Sequence, residues 1–291
     1  MKILFMGTPE FSVFALRALR DAGENIVGVI TQPDKPKGRR YTLTPSPVKL
    51  LALESNIPVY QPKSLRGEEF AATLAGIDPE LIVVSAYGKI LPQNVLDYPK
   101  YGCINIHGSL LPEYRGAAPM QRAIIDGRDK TGVTIMMMDS GLDTGDMLLT
   151  RETPIGESDN FEDIHDRLGT LGASALLETL TLLREGRLTR TPQDGSRATY
   201  AAKIEKDDCH IDFTMSARQV HNLIRGLSPV PLAFSLLPGD CILKVAAAEI
   251  AEPLRPATGV STQVATGVST QAATGVSTQA AAGVSTQAAA G

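Results

Sequence analysis

Short apolar runs that suit strands alternate with helical apolar stripes through most of the first 189 residues. The run at 81–86, LIVVSA, is almost continuously apolar, which is typical of a strand covered on both faces of a parallel sheet. Further strands are predicted at 2–7, 25–31, 59–61, 102–108 and 132–138, with helices between them and a long helix within 160–185. This alternation predicts an α/β fold, a doubly wound and mostly parallel Rossmann-like sheet.

The strand predicted at 102–108 carries two polar side chains in a position where a buried strand is expected to be apolar. Asn105 and His107 alternate with isoleucines, so the period of two directs the amide and the imidazole to one face. Leaving either buried without hydrogen bonds would cost about 1 to 3 kcal/mol, so both need structural partners or a substrate. Ligands of such sheets bind at the carboxyl ends of strands, and Asp143 also follows a predicted strand by a few residues.

These three side chains suit acyl transfer from a carbonyl donor. Asn105 can donate to a carbonyl oxygen that gains negative charge, and His107 can carry a proton near neutral pH. Asp143 can orient the histidine or, through a water, take a proton from an attacking amine. A structural histidine is the alternative for His107. For Asp143, a turn in which the aspartates of GLDTGD cap backbone amides is equally compatible with the sequence.

The sequence lacks the motifs that are typical of nucleotide-phosphate sites and of metal sites. The first turn has no GxGxxG and the chain has no GxxxxGK[ST], which disfavours nucleotide-phosphate binding. The three cysteines show no CxxC spacing and no HExxH occurs, so no metal is expected. No apolar run approaches the ~18 residues of a membrane span, so we expect a cytoplasmic protein.

A basic loop, PDKPKGRR, follows the second predicted strand. Lys35, Lys37, Arg39 and Arg40 stand there against one acid, Asp34, in a chain whose net charge is −4. A solvated flexible loop is the usual interpretation of such a run. A local basic loop beside a cleft is also what a phosphate backbone requires of an otherwise acidic protein.

The chain changes character twice after the alternating region. Residues 190–205 are polar and are interpreted as a linker, and 206–251 contain a short second unit of strands and one helix. The predicted tail covers 252–291, and from 257 onward its sequence is an uncharged octapeptide repeat of the type ATGVSTQA. One or two valines per repeat cannot offset a backbone ordering cost of ~1 to 2 kcal/mol per residue, so we expect a disordered tail.

Several of these stretches together resemble the methionyl-tRNA formyltransferase family. The matching segments are GTPEF, TQPDKPKGR, PSPVK, AYGKILP, GCINIHGSLLPEYRGAAPMQRAI and GVTIMMMDSGLDTGDML, spread over 1–237. The resemblance implies that 1–189 form a catalytic domain which transfers the formyl group of 10-formyltetrahydrofolate, a co-substrate, to methionyl initiator tRNA. It also implies that Asn105, His107 and Asp143 are catalytic.

The resemblance assigns binding residues as well. It implies folate contacts by Tyr87, Gly88, Ser109, Leu110, Leu111 and Pro112, and tRNA contacts by Lys35, Lys37, Arg39 and Arg40. It implies no metal, and we expect a monomer.

Two alternatives stay open at this point. The same Asn-His-Asp core occurs in formyltransferases that act on other amines such as amino sugars, although the basic loop and GAAP favour tRNA. Relatives in this family end in a barrel-like, OB-like C-terminal domain, of which only 206–251 is recognisable before the repeat. We therefore expect weakened tRNA affinity, and an inactive folate- or RNA-binding relic is the non-enzymatic alternative.

Overall fold

The computed structural model describes residues 1–37, 42–239 and 241–251, together with the backbone of three short strands further on. The strands are β1 (Ile3–Gly7), β2 (Ile26–Ile30), β3 (Lys35–Lys37), β4 (Thr42–Thr44), β5 (Val59–Tyr60), β6 (Leu81–Ser85), β7 (Cys103–His107), β8 (Arg115–Gly116), β9 (Lys130–Met137), β10 (Met147–Pro154), β11 (Tyr200–Ala201), β12 (Ala233–Leu237), β13 (Cys241–Val245), β14 (Ala247–Ile250), β15 (Val268–Gln271), β16 (Ser277–Ala280) and β17 (Val284–Gln287). The helices are α1 (Glu10–Asp21), α2 (Pro47–Glu54), α3 (Glu68–Ile77), α4 (Gln93–Leu96), α5 (Pro119–Ile125), α6 (Phe161–Arg184) and α7 (Ala217–Leu227).

Seven strands form one sheet in the order β10-β9-β7-β6-β1-β2-β5. The pairs β1–β2, β1–β6, β2–β5 and β6–β7 are parallel, whereas β7–β9 is antiparallel. The predicted doubly wound, mostly parallel sheet is therefore confirmed. Because β1, β2, β6 and β7 run in one direction, their carboxyl ends meet at one edge, where ligands of such sheets bind.

Helices cover both faces of this sheet. One face carries a core in which Leu4 and Ile82 pack with Leu74 of α3 and Val95 of α4. On the other face Gly172 of α6 approaches β7 and β9 so closely that an added Cβ would lie 2.9 Å from Ile106. All five residues of β1 and of β6 are buried, which explains why their sequences are apolar without alternation.

Local signals located the six predicted strands of the main sheet to within two residues. Ser46 caps α2: its side chain accepts a hydrogen bond from the Lys49 amide, and Pro47 begins the helix. The strand predicted at 132–138 is β9, and α6 lies inside the predicted 160–185. The strand β10 and the hairpin β3–β4 have no counterpart in the predictions.

The chain divides into two compact units. The first comprises Met1–Gly116, Gly132–Thr153 and His165–Tyr200, and thus contains the first eleven residues of the predicted linker. The second comprises Ala117–Thr131, Pro154–Ile164 and the described residues from Ala201 onward. Its core consists of one α7 face together with residues such as Ile211, Ala233 and Val245.

Three of the strands lie in the octapeptide repeat. β15 pairs antiparallel with β14, and β16 pairs antiparallel with β17. The rest of 252–291 lies outside the described residues, so the disordered tail and the boundary at 251 stay predictions. In the part of the chain that the structure describes, no helix is long and apolar enough to cross a membrane.

Candidate active site

Asn105 and His107 lie on β7, at the ligand-binding edge of the sheet. Asn105 pairs with Val84 of β6 on one side and with Met136 of β9 on the other, which fixes its depth in the sheet. Its side chain is half-buried, whereas His107 is 5% exposed. The predicted placement of the amide and the imidazole on one face of one strand follows from this register.

The two ring nitrogens of His107 have different surroundings. Nε2 lies 2.9 Å from the carbonyl oxygen of Tyr114, and Nδ1 lies 3.6 Å from Oδ2 of Asp143. A carbonyl oxygen can only accept, so Nε2 carries a proton and donates it to Tyr114. The second proton of an imidazolium would then sit on Nδ1 and point towards the carboxylate. The pair His107–Asp143 can therefore hold or release one proton at the Nδ1 position.

Asp143 is held in a defined position by the main chain. Its Oδ2 accepts a hydrogen bond of 2.9 Å from the Gly116 amide. Its φ is +52°, a left-handed conformation that aspartate tolerates better than most residues but which still needs support from its surroundings. The structure thus brings Asp143 to His107, and the Asp143 carboxylate also caps one backbone amide.

A neighbouring aspartate, Asp139, has the capping role that sequence left open for the GLDTGD loop. Asp139 Oδ1 accepts from the Gly141 amide at 3.0 Å and from the Thr144 hydroxyl at 2.7 Å. Gly145 is required by close packing, because a Cβ there would lie 2.0 Å from the carbonyl oxygen of Met137. The loop is therefore closed internally and fixed against the end of β9.

Two further residues support the site and were missed by the sequence interpretation. Gln193 donates from Nε2 to the carbonyl oxygens of Asp143 and Gly145, both at 2.8 Å. Its Oε1 accepts from Nε and Nη2 of Arg115 at 3.0 and 2.7 Å. Gln193 lies in the polar stretch interpreted as a linker, where nothing in the local pattern distinguishes it from its neighbours.

Four of the residues assigned to folate lie in the loop that follows β7. Ser109 is fully buried, and its hydroxyl donates to the Glu113 carbonyl at 2.6 Å. The amide of the buried Leu111 donates to the Thr134 hydroxyl, 3.2 Å away. Leu110 is half-buried and Pro112 is buried. The Ser109 hydroxyl is thus used within the loop, so a ligand would meet this loop through main-chain groups and apolar side chains.

The other two residues that the resemblance assigns to folate follow β6 at the same edge of the sheet. Tyr87 is 2% exposed, and burial raises the pKa of its phenol to about 12. Its carbonyl oxygen accepts from the Gln32 amide group at 2.9 Å and from the Thr8 hydroxyl at 3.2 Å. Gly88 has φ of +80°, which a side chain would disfavour. These residues line a cleft of about 360 Å³ together with residues that follow β1 and β2.

The basic loop is an antiparallel hairpin, and the same cleft lies at its foot. Lys35 pairs with Thr44 and Lys37 with Thr42 in β3–β4, and the Lys35 side chain is exposed and lines the cleft. Arg39 and Arg40 fall outside the described residues. The hairpin follows β2 and therefore leaves from the edge of the sheet that carries Asn105 and His107.

Asp34 at the start of this hairpin is neutralised by neighbours. Its carboxylate accepts from Lys49 Nζ at 2.7 Å and from Gln61 Nε2 at 2.8 Å. Gln61 also accepts from Lys49 and donates to the Gln32 carbonyl, which closes the network. Hydrogen bonds from Lys49 and then from Gln61 hold the pKa of the Asp34 carboxyl below its usual value of 3.8. Asp34, the one acid of the basic loop, is thus paired, and its contacts fix the start of the hairpin.

Comparison with known proteins places the chain in a family. The family model described as "Formyl transferase" matches residues 1–180, and "Formyl transferase, C-terminal domain" matches 203–277, which extends into the repeat. A protein of Geotalea uraniireducens named methionyl-tRNA formyltransferase is 52% identical over 242 residues, covering 83% of this chain and 77% of that protein.

Solved structures share the fold at low identity. A sugar N-formyltransferase from Shewanella matches with a TM-score of 0.66 at 21% identity, covering 87% of this chain and 99% of that one. The methionyl-tRNA formyltransferase of Clostridium thermocellum matches with a TM-score of 0.59 at 18% identity, covering 93% and 98%. Identities this low show the fold alone, whereas the family model and the relative with 52% identity show more: the chain belongs to the formyl transferase family, among the methionyl-tRNA formyltransferases.

Proposed function

We propose that this protein transfers the formyl group of 10-formyltetrahydrofolate to the α-amino group of methionyl initiator tRNA. The observation that carries the proposal is the arrangement of Asn105, His107 and Asp143 at one strand end. It occurs in a chain that is 52% identical to a named methionyl-tRNA formyltransferase. Bound folate would supply the activated formyl group, and the protein's side chains would polarise it and handle protons.

Each of the three side chains has a distinct task in this proposal. The half-buried Asn105 amide donates to the formyl oxygen as negative charge develops there during attack by the amine. His107 in its protonated form adds positive charge at the same place and carries a proton at Nδ1. Asp143 keeps that proton in place and accepts the proton that the amine loses, directly or through a water. Transfer is direct: the amine nitrogen bonds to the formyl carbon, the bond from that carbon to the folate nitrogen breaks, and the folate nitrogen leaves with a proton equivalent to the one that the amine gives up. No covalent intermediate with the protein is required.

The residues after β6 and β7 fit a folate at the same edge. We infer that Tyr87, Gly88 and the loop 109–112 contact the co-substrate mainly through main-chain groups, because the Ser109 hydroxyl donates within the loop and the Tyr87 side chain is buried. Ser109→Ala tests the assignment: it should alter the KM for folate by less than about threefold if the hydroxyl serves only the loop. A much larger rise in KM would show that the hydroxyl itself binds folate.

We further infer that the β3–β4 hairpin binds the tRNA backbone through Lys35, Lys37, Arg39 and Arg40. Its support is the pairing of Asp34, which leaves the net charge of the loop positive, and the position of the hairpin at the ligand edge of the sheet. Replacing Lys35 by glutamine should weaken tRNA binding and reduce the slope of log K against log salt by about one. Lys100→Gln is the control, since Lys100 lies over its own neighbour Tyr101.

Formylation of charged initiator tRNA tests the function. Wild type should be active with 10-formyltetrahydrofolate, His107→Ala should lose about 10²- to 10⁴-fold in kcat, and Asn105→Ala about 10²- to 10³-fold. His210→Ala replaces an exposed histidine of the second unit and should leave kcat unchanged. Full activity of both active-site variants would refute the mechanism.

The acceptor and the state of the protein are tested separately. Activity with an amino-sugar nucleotide, together with no activity on methionyl-tRNA, would show that the acceptor is an amino sugar and not tRNA. An inactive wild type would favour the relic. We also propose a monomeric, cytoplasmic protein, which size-exclusion chromatography with light scattering and cell fractionation test.

A further inference from the structure

The side-chain amide of Gln193 uses its whole hydrogen-bonding capacity. Oε1 accepts two hydrogen bonds from Arg115, at 3.0 and 2.7 Å, and Nε2 donates to the carbonyl oxygens of Asp143 and Gly145 at 2.8 Å each. A carboxamide offers two acceptor and two donor positions, so all four are filled. Because a guanidinium only donates and a carbonyl only accepts, a flipped amide could make none of these bonds. The contacts therefore specify glutamine and its orientation.

The main chain of residues 114–116 connects this amide with the catalytic pair. The carbonyl of residue 114 accepts from His107, and the amide of residue 116 donates to the Asp143 carboxylate, both at 2.9 Å. Between them lies Arg115, which is 6% exposed and binds Gln193. Gln193 thus holds the backbone of Asp143 on one side and, on the other, the segment that holds its carboxylate.

Gln193 also holds a part of the site whose backbone is strained. Asp143 has a φ of +52° and Tyr114 a φ of +59°, conformations that persist only where the surroundings impose them. A second residue of the same polar stretch fixes Tyr114, because the Thr199 hydroxyl accepts from the Tyr114 amide at 2.8 Å. The stretch interpreted as a linker therefore supports both strained residues of the site.

We propose that Gln193 is a positioning residue of the formyl transfer: it acts through Asp143 by fixing the loop that carries it against the segment 114–116. This rests on the proposed function, in which Asp143 retains the proton at His107. Neither close substitute can perform the task. Glutamate would keep the contact with Arg115 but would place a carboxylate oxygen against two carbonyl oxygens, and methionine would lose all four hydrogen bonds.

A double-mutant cycle separates positioning from general destabilisation. The variants are Gln193→Met, Asp143→Asn and both together, with Gln93→Met as the matched control, because Gln93 is exposed and bonds only to its helical neighbour Asp97 among the described residues. We expect Gln193→Met to lower kcat about 10- to 100-fold, as for a displacement near 1 Å, while both KM values stay within about twofold. In the Asp143→Asn background the same change should alter kcat less than about twofold.

Amide hydrogen exchange supplies a readout that needs no turnover. The Gly116 amide, which donates to Asp143, should exchange at least about tenfold faster in Gln193→Met than in wild type, and at the wild-type rate in the control. Hydrogen exchange decides the proposal even if wild type proves inactive, a result that would refute the proposed function alone. It also decides the proposal if Asp143→Asn has no measurable rate. Should Gln193→Met not fold, Gln193→Glu enters the same cycle.

Four results would overturn the proposal. They are an unchanged kcat, an equal loss in both backgrounds, a loss confined to KM, and unchanged exchange at Gly116. A fifth such result would be a Gln193→Glu protein with the full activity of wild type, because the contact with Arg115 alone would then suffice.

Discussion

Replacement of Gly145 by alanine tests how closely catalysis depends on the position of the Asp143 loop. Gly145 is two residues after Asp143, and its carbonyl oxygen accepts from Gln193 at 2.8 Å. The backbone of Gly145 is not in the left-handed region, so alanine can adopt the same conformation without strain. The obstacle is steric, because the new Cβ would lie 2.0 Å from the carbonyl oxygen of Met137 and 2.9 Å from its carbon.

The size of the effect follows from these distances. Cβ contacts below 3.0 Å essentially do not occur, so the loop must move by at least about 1 Å away from the end of β9. The gap between His107 Nδ1 and Asp143 Oδ2 is already 3.6 Å, and a shift of that size would disrupt the pair. Displacements of about 1 Å cost about 10²-fold in rate, and overpacking costs about 1 to 3 kcal/mol in the free energy of unfolding.

Steady-state formylation kinetics and urea unfolding measure both effects. We expect kcat to fall about 10- to 100-fold with the KM values little changed. Gly76→Ala is the matched control: Gly76 lies in α3, a Cβ there meets nothing within 4 Å, and alanine favours a helix. A Gly145→Ala protein with kcat within about threefold of wild type would refute the reasoning that the loop must stay within about 1 Å of its place.

Three further predictions concern other parts of the molecule. Lys49→Met removes the cation that, with Gln61, keeps the pKa of Asp34 below 3.8. The stability from this pairing is present above pH 3.8 and is lost as the pH falls below it. The difference between wild type and variant in the free energy of unfolding, measured in urea, should therefore be smaller at about pH 3 than at about pH 6. Burial raises the pKa of Cys103 to about 12, so a thiol reagent at about pH 8 should label the exposed Cys241 rapidly and Cys103 only after unfolding; rapid labelling of both would contradict the buried placement. Ser216→Ala removes the capping box of α7 and should cost about 1 kcal/mol in the free energy of unfolding, and an unchanged midpoint would contradict it.

Sequence located the strand that carries Asn105 and His107 because its signal is local. A period of two over five residues assigns Asn105 and His107 to one face without knowledge of any partner. Ser46 and Pro47 likewise identify the start of α2 through adjacent positions. The proximity of Asp143 to His107 was predictable only from the rule that strand ends share an edge, together with the family resemblance.

Gln193 and Arg115, which support the site, were not predictable because their contacts are not local in sequence. Gln193 is 78 positions from Arg115 and 50 from Asp143, and no periodicity links such distant positions. The strand β10 was missed because its sequence, MLLTRETP, alternates buried or half-buried with exposed positions over only part of its length and contains charged residues. Its place at the edge of the sheet requires less burial than the central strands, so composition gives a weak signal there.

The polar character of residues 190–200 has a physical meaning that composition alone conceals. Polar side chains usually indicate solvation, but here the main chain of the stretch and the Gln193 side chain bind parts of the first unit. Thr191 exchanges two backbone hydrogen bonds with Met147 at 2.9 Å, Gln193 fixes Asp143, and the Thr199 carbonyl accepts from the Arg115 amide at 2.9 Å. A boundary placed at residue 189 would therefore separate the Asp143 carboxylate from the groups that hold its loop. The proposed chemistry lies on β7 and the Asp143 loop, yet that loop is held by a segment that follows α6 and meets the main sheet only through the bridge between Thr191 and Met147.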